Sequence, residues 1–148
     1  MDDDYQPDPS GESLTLPQME YHVYEAGRHQ LVVVQSPTLD DVVEALEALD
    51  QRSRTTMTFI HGTGAYISVD GGGGHYHVYL GSFDHEDRII LQSPSSGGPM
   101  APDLVDIVND GHTNRYAAQD VVDLETARAA LSEFHASGRP HLGLTWRT

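Results

Sequence analysis

The chain of 148 residues has no cysteine and no lysine. The first absence excludes disulfides, thiolate metal sites and thiol nucleophiles. The second leaves arginine as the only permanently charged basic side chain. With 8 basic residues against 23 Asp and Glu, the formal net charge is −15. That balance argues against direct nucleic-acid binding, which needs clustered cations to neutralise phosphates. It also disfavours an anionic membrane surface. Apolar residues make up 38%, and no apolar run approaches the roughly 20 residues that span a bilayer. The opening MDDDYQPDPSGES reverses the basic-then-apolar order of a signal peptide, so the expectation is a soluble, cytoplasmic protein.

What is present reads as one α+β domain. Residues 1–13 are acidic and Pro-containing, too polar to offset their ordering entropy, and are expected to be a mobile tail before a domain over 14–148. Met19, Tyr21 and Val23 alternate with Glu20, His22 and Tyr24, a strand period. After a turn at Ala26–His29, the run Leu31-Val32-Val33-Val34 reads as a more buried strand paired to the first. Thr38 is a good helix N-cap, with Asp40 and Asp41 in the first turn. Leu39, Val42, Val43, Leu46 and Leu49 then draw one apolar stripe.

Four short strands follow in a meander with one face in the core. They are Thr56 to Ile60, the alternating Ala65-Ile67-Val69, the alternating Tyr76-Val78-Leu80, and Arg88 to Gln92. Ser93 to Pro102 is a loop. Asp123 caps a second helix whose stripe is Leu124, Ala127, Leu131 and Phe134. Gly138 stands at its C-terminal cap, Pro140 forbids continuation, and Leu142 to Trp146 is a closing strand. The fold class expected is therefore an antiparallel sheet of about six to seven strands packed against two helices.

Several patterns could carry chemistry. His75 and His77, two apart on a strand, share a face and could chelate a metal, and GGGGHYH faintly resembles a cupin motif. That motif needs an acidic ligand three or four residues after the second His, where Leu80 and Gly81 stand. Gly71 to Gly74 lacks the Lys-Ser/Thr of a phosphate-binding loop, leaving a flexible hairpin loop. No G-x-S-x-G elbow presents a nucleophile. No cofactor is implied. The acidic groups are more informative: Asp41, Glu44 and Glu47 on the first helix, Asp84, Glu86 and Asp87 in a turn, and Asp103, Asp106 and Asp110 interleaved with Leu104, Val105, Ile107 and Val108. Carboxylates mixed with aromatic anchors, Tyr66, Tyr76 and Tyr79, would suit a partner whose own ligand is nucleic acid.

The last thirty residues resemble a known family. Asp120-Val121-Val122-Asp123-Leu124-Glu125, an Ala-rich helix, Glu133-Phe134-His135-Ala136-Ser137-Gly138-Arg139-Pro140 and Leu144-Thr145-Trp146 are similar to the end of the immunity-protein-one family of bacterial polymorphic toxin systems. The helix at Val42 to Leu49 and the segment Tyr66-Ile67-Ser68-Val69 stand in the matching order. The resemblance implies a non-enzymatic, cytoplasmic binder of a cognate toxin, often a nucleic-acid deaminase, whose substrate cleft is basic. It assigns no catalytic residues. It implies structural roles for Gly138, Pro140 and Trp146. A small His-rich, cupin-like metal enzyme is the alternative.

Overall fold

The computed structural model describes residues 17–62, 64–93 and 104–148. The acidic tail expected at 1–13, most of the loop expected at 93–102, and Asp103 lie outside the described residues. Among those described, nine strands form two antiparallel sheets with two α-helices, the α+β class the sequence predicts.

The chain begins with β1 (Gln18–Glu25) and β2 (Arg28–Gln35), joined by Ala26 and Gly27. Both have positive φ, 52° and 75°, the backbone of a two-residue hairpin turn that suits the twist of the strands. Helix α1 (Leu39–Glu47) follows. Thr38 Oγ1 accepts from the Asp41 backbone N–H at 3.1 Å, and the Asp41 carboxylate accepts from the Thr38 N–H at 2.9 Å. This reciprocal box satisfies two end donors that the helix ladder leaves over.

Next come β3 (Thr56–Ile60), β4 (Ala65–Gly72), β5 (His75–Ser82) and β6 (His85–Gln92). A separate hairpin follows, β7 (Leu104–Asn109) with β8 (His112–Ala117). A single 3-10 turn at Ala118–Asp120 leads to α2 (Leu124–Ser137). The Asp123 carboxylate accepts from the Thr126 N–H at 2.8 Å at its start, and Gly138 ends it in the left-handed conformation, φ 72°. The closing strand β9 is Thr145–Arg147, shorter than and shifted from the expected Leu142–Trp146. Trp146 is half-buried against the core, and its indole N–H donates to the His141 carbonyl at 3.0 Å.

The large sheet runs β2-β1-β3-β4-β5-β6-β9. Its register puts Met19, Met57, Phe59, Ile67, Val69, Val78, Leu80 and Leu91 on one face. There they are buried with Val42, Ala45 and Leu46 of α1 and Ala127, Leu131 and Phe134 of α2. At ~25 cal/mol per Å2 of apolar area, this layer is the main favourable term of the fold. Among the described residues, no helix is long and apolar enough to cross a membrane.

Two expectations change. Leu31-Val32-Val33-Val34 is not a buried strand: β2 is the outer strand of the sheet, with Leu31 49% and Val33 44% exposed. The glycine run is not simply a flexible loop. Gly73 and Gly74 make the turn, but Gly71 and Gly72 belong to β4 and are buried. Both sit at φ near +140°. A Cβ on Gly72 would lie 2.6 Å from the Leu49 carbonyl oxygen, and one on Gly71 would lie 2.1 Å from that of His75. Gly there permits a backbone approach that no side chain allows.

Candidate functional site

The sheet face turned away from the helices carries Tyr66, Ser68 and Asp70 from β4 and His77 and Tyr79 from β5, because side chains alternate along a strand. It divides into a covered end and an open end.

The covered end lies beneath the β7–β8 hairpin. Ile107 is fully buried there, outside the main core cluster. Thr55 anchors the hairpin: its hydroxyl donates to Asn109 Oδ1 and accepts from the Asp110 N–H, both at 3.2 Å. Gln51 adds a second tie, donating to the Gly72 carbonyl and accepting from the Val108 N–H, both at 2.9 Å. The Tyr116 ring stacks on His77 at 4.0 Å between centroids. Burial pushes the Asp70 carboxyl up, against opposing hydrogen bonds from Thr56 and Asn109 and the charge of His77. Burial likewise pushes the His77 imidazolium down.

His75 and His77 share this face yet meet different surroundings. His75 is exposed at the strand's start, while His77 is 7% exposed, its Nδ1 3.1 Å from the Asp120 carbonyl. Among the described residues, no three His, Asp or Glu side chains converge as a metal would require. The paired-histidine centre of the metal-enzyme reading is not assembled. Beside His77, Asp120 is 6% exposed and holds Arg147 bidentately, at 2.9 Å to Nε and 2.6 Å to Nη2. Those hydrogen bonds keep the Asp120 carboxyl below its ordinary range.

The open end is aromatic. Tyr66 meets Phe83 at 5.0 Å and Tyr79 edge-on at 6.3 Å. The Arg88 guanidinium lies 4.7 Å above the Tyr79 ring. Gly81 makes room for this cluster, since a Cβ there would sit 2.7 Å from the Tyr66 hydroxyl. Tyr66 and Tyr79 are half-exposed, Arg88 is exposed, and Phe83 is 63% exposed. These residues make an exposed aromatic cluster with one cation, bordered by exposed carboxylates.

The expected site residues that the structure describes fall in four places. Tyr66 and Tyr79 join at the open end, and Asp84, Glu86 and Asp87, all exposed, belong to the adjoining β5–β6 hairpin. Tyr76 belongs elsewhere: three residues before Tyr79, it points into the helix-side core, 3% exposed. It therefore cannot be a surface anchor. Asp41, Glu44 and Glu47 stand on α1, across the sheet, where Asp41 is spent on the cap and Glu47 pairs with Arg128 of α2. Asp106 is exposed on β7 and pairs with Arg115 at 3.0 Å. The residues sequence reasoning missed are Phe83 and Arg88; a phenylalanine inside the turn Ser82-Phe83-Asp84 was the available signal.

The α+β sheet thus has helices on one face and, at the open end of the other, an exposed aromatic and charged patch. The profile described as Immunity protein Imm1 matches residues 32–148, from within β2 to the last residue. The chain belongs to the Imm1 immunity protein family. No curated protein matches it.

Proposed function

We propose that this protein neutralises a cognate toxin by stoichiometric binding, without turnover, through the open end of the sheet face. The family match carries the immunity role. The surface is assigned from the exposed cluster of Tyr66, Tyr79, Phe83 and Arg88 bordered by Asp84, Glu86 and Asp87.

The target is a nucleic-acid deaminase or a related nucleic-acid-targeting effector, held in the cytoplasm with its active site occluded. Such a toxin must present cations around its substrate cleft. A partner with net charge −15 meets it with a complementary field that speeds encounter, while buried aromatic anchors slow release.

The test is titration of a purified cognate toxin. Its activity should fall linearly and vanish at a one-to-one ratio. Phe83→Ala, at an exposed position that costs the fold little, should weaken binding by about 1–2 kcal/mol, roughly five- to thirtyfold in Kd. A toxin fully active beside excess protein would overturn the reading. Tight binding that Phe83→Ala and Arg88→Ala both leave unchanged would move the interface elsewhere.

A further inference from the structure

The outer edge of β2 has no strand beside it among the described residues. Its hydrogen-bonding phase follows from one contact. The Ser36 N–H donates to the Pro17 carbonyl at 2.8 Å, so residue 36 faces β1. In an antiparallel ladder the facing residues alternate. With the unbroken register from Gln18↔Gln35 to Glu25↔Arg28, the backbone groups of 28, 30, 32 and 34 turn toward β1. Those of His29, Leu31, Val33 and Gln35 turn outward.

We propose that this edge pairs with the β2 edge of a second copy of the chain, antiparallel and centred on Val32. Two-fold pairing perpendicular to the sheet requires partners on the same face, so the centre must fall on a residue. Centring on Val32 sets the outward residues Leu31 against Val33 and His29 against Gln35 of the second copy, forming about eight hydrogen bonds between copies. Leu31 and Val33, the exposed apolar side chains of this strand, then cover their counterparts in a four-residue cluster on one face. Val32 meets Val32 on the other.

Charge favours this alignment locally. No carboxylate lies between Ala26 and Leu39. Arg28 falls beside Ser36 of the second copy, at the start of the segment leading to the acidic first turn of α1, Asp40 and Asp41. By symmetry this happens twice. At long range two bodies of −15 repel, so salt strengthens the association by screening. Natural edge strands are usually protected by charge, proline or a bulge. Past Arg28, β2 has none of these.

The cysteine-free sequence supplies a clean register test. Val32 and its copy form a non-hydrogen-bonded pair, with Cα atoms about 4.5 Å apart, inside the range a disulfide spans. Val34 and its copy would be offset by about 13 Å along the strand. Val32→Cys in the full chain should give a disulfide-linked dimer on mild oxidation, and Val34→Cys should not. Sedimentation of the unaltered chain should show a concentration-dependent dimer, tighter in about 0.5 M than in about 0.05 M NaCl. Val33→Lys should leave it monomeric with its thermal midpoint preserved.

Three results would overturn the proposal: a monomer at every concentration and salt, a dimer that persists in Val33→Lys, or equal cross-linking at positions 32 and 34. Slow amide exchange at 29, 31, 33 and 35 in a monomer would place another segment on the edge and overturn it too.

Discussion

Asp120 shows how much one carboxylate can organise. It lies at the end of the 3-10 turn that precedes α2, yet its side chain binds Arg147 of β9 and Gln92 of β6, and its carbonyl meets His77 of β5. One residue thus ties the chain terminus to the middle of the sheet. Because its folded pKa is depressed, the pair contributes its full stabilisation above the unfolded carboxylate value near 3.8. That contribution is lost as pH falls through the lower folded value. Arg147→Ala should destabilise the fold by about 2–3 kcal/mol at neutral pH, since it strands a buried carboxylate. The difference from the unaltered chain should shrink below about pH 4, as the unfolded carboxylate titrates. Chemical denaturation across pH measures both. A difference independent of pH would mean that the arginine acts through packing alone.

At the level of elements, the β7–β8 hairpin is the piece that the sequence signalled and that the expected architecture omitted. The turn Asn109-Asp110-Gly111-His112 joins β7 to β8, and Asp110 and Gly111 adopt φ 56° and 77°, the two-residue hairpin turn that Asp-Gly favours. Leu104 to Val108 shows no two-residue alternation, so Asp-Gly is the local signal of this hairpin. Ile107→Ala should cost about 2–4 kcal/mol by opening a cavity under the hairpin. Amide exchange should then rise in β7 and β8 more than in β3 to β5, and uniform exchange would contradict separate docking of the hairpin. Gly72→Ala tests the close approach of β4 to the end of α1. Both the clash and the positive φ oppose it, so a loss of about 3 kcal/mol or more is expected. A thermal midpoint within about 2 °C of the unaltered chain would refute that.

On the scale of the whole molecule, carboxylates of the described residues stand on both sides of the sheet. The carboxylates of α1 lie on the helix side, and those of Asp84, Glu86 and Asp87 border the aromatic end of the other face. If the toxin binds that end, reversing Asp84 and Glu86 to Arg should slow association about ten- to a hundredfold at low salt, with little change at high salt. Glu44→Arg, across the sheet, should change the rate much less. Stopped-flow association at two ionic strengths distinguishes the faces. Equal effects at both positions would mean that total charge, not a patch, steers the encounter.

The sequence by itself determined the elements, because their signals are local. Thr38, Asp123 and Gly138 cap helices through groups within three or four residues, and alternation in 65–69 and 75–80 follows from the two-residue strand repeat. It also carried the family, through its C-terminal third. It could say that Tyr76 and Tyr79 point to opposite faces, but not which face lies under the helices. Burial on both sides of β4 and β5 comes from a hairpin thirty residues away, so His77 looked like a surface ligand and is instead covered by Tyr116. The same holds for β2. Its apolar run suits a buried strand and an outer strand alike, and only the strand order chose between them. Local periodicity records which side chains share a surface; what covers that surface is a long-range contact, and only the tertiary structure decides it.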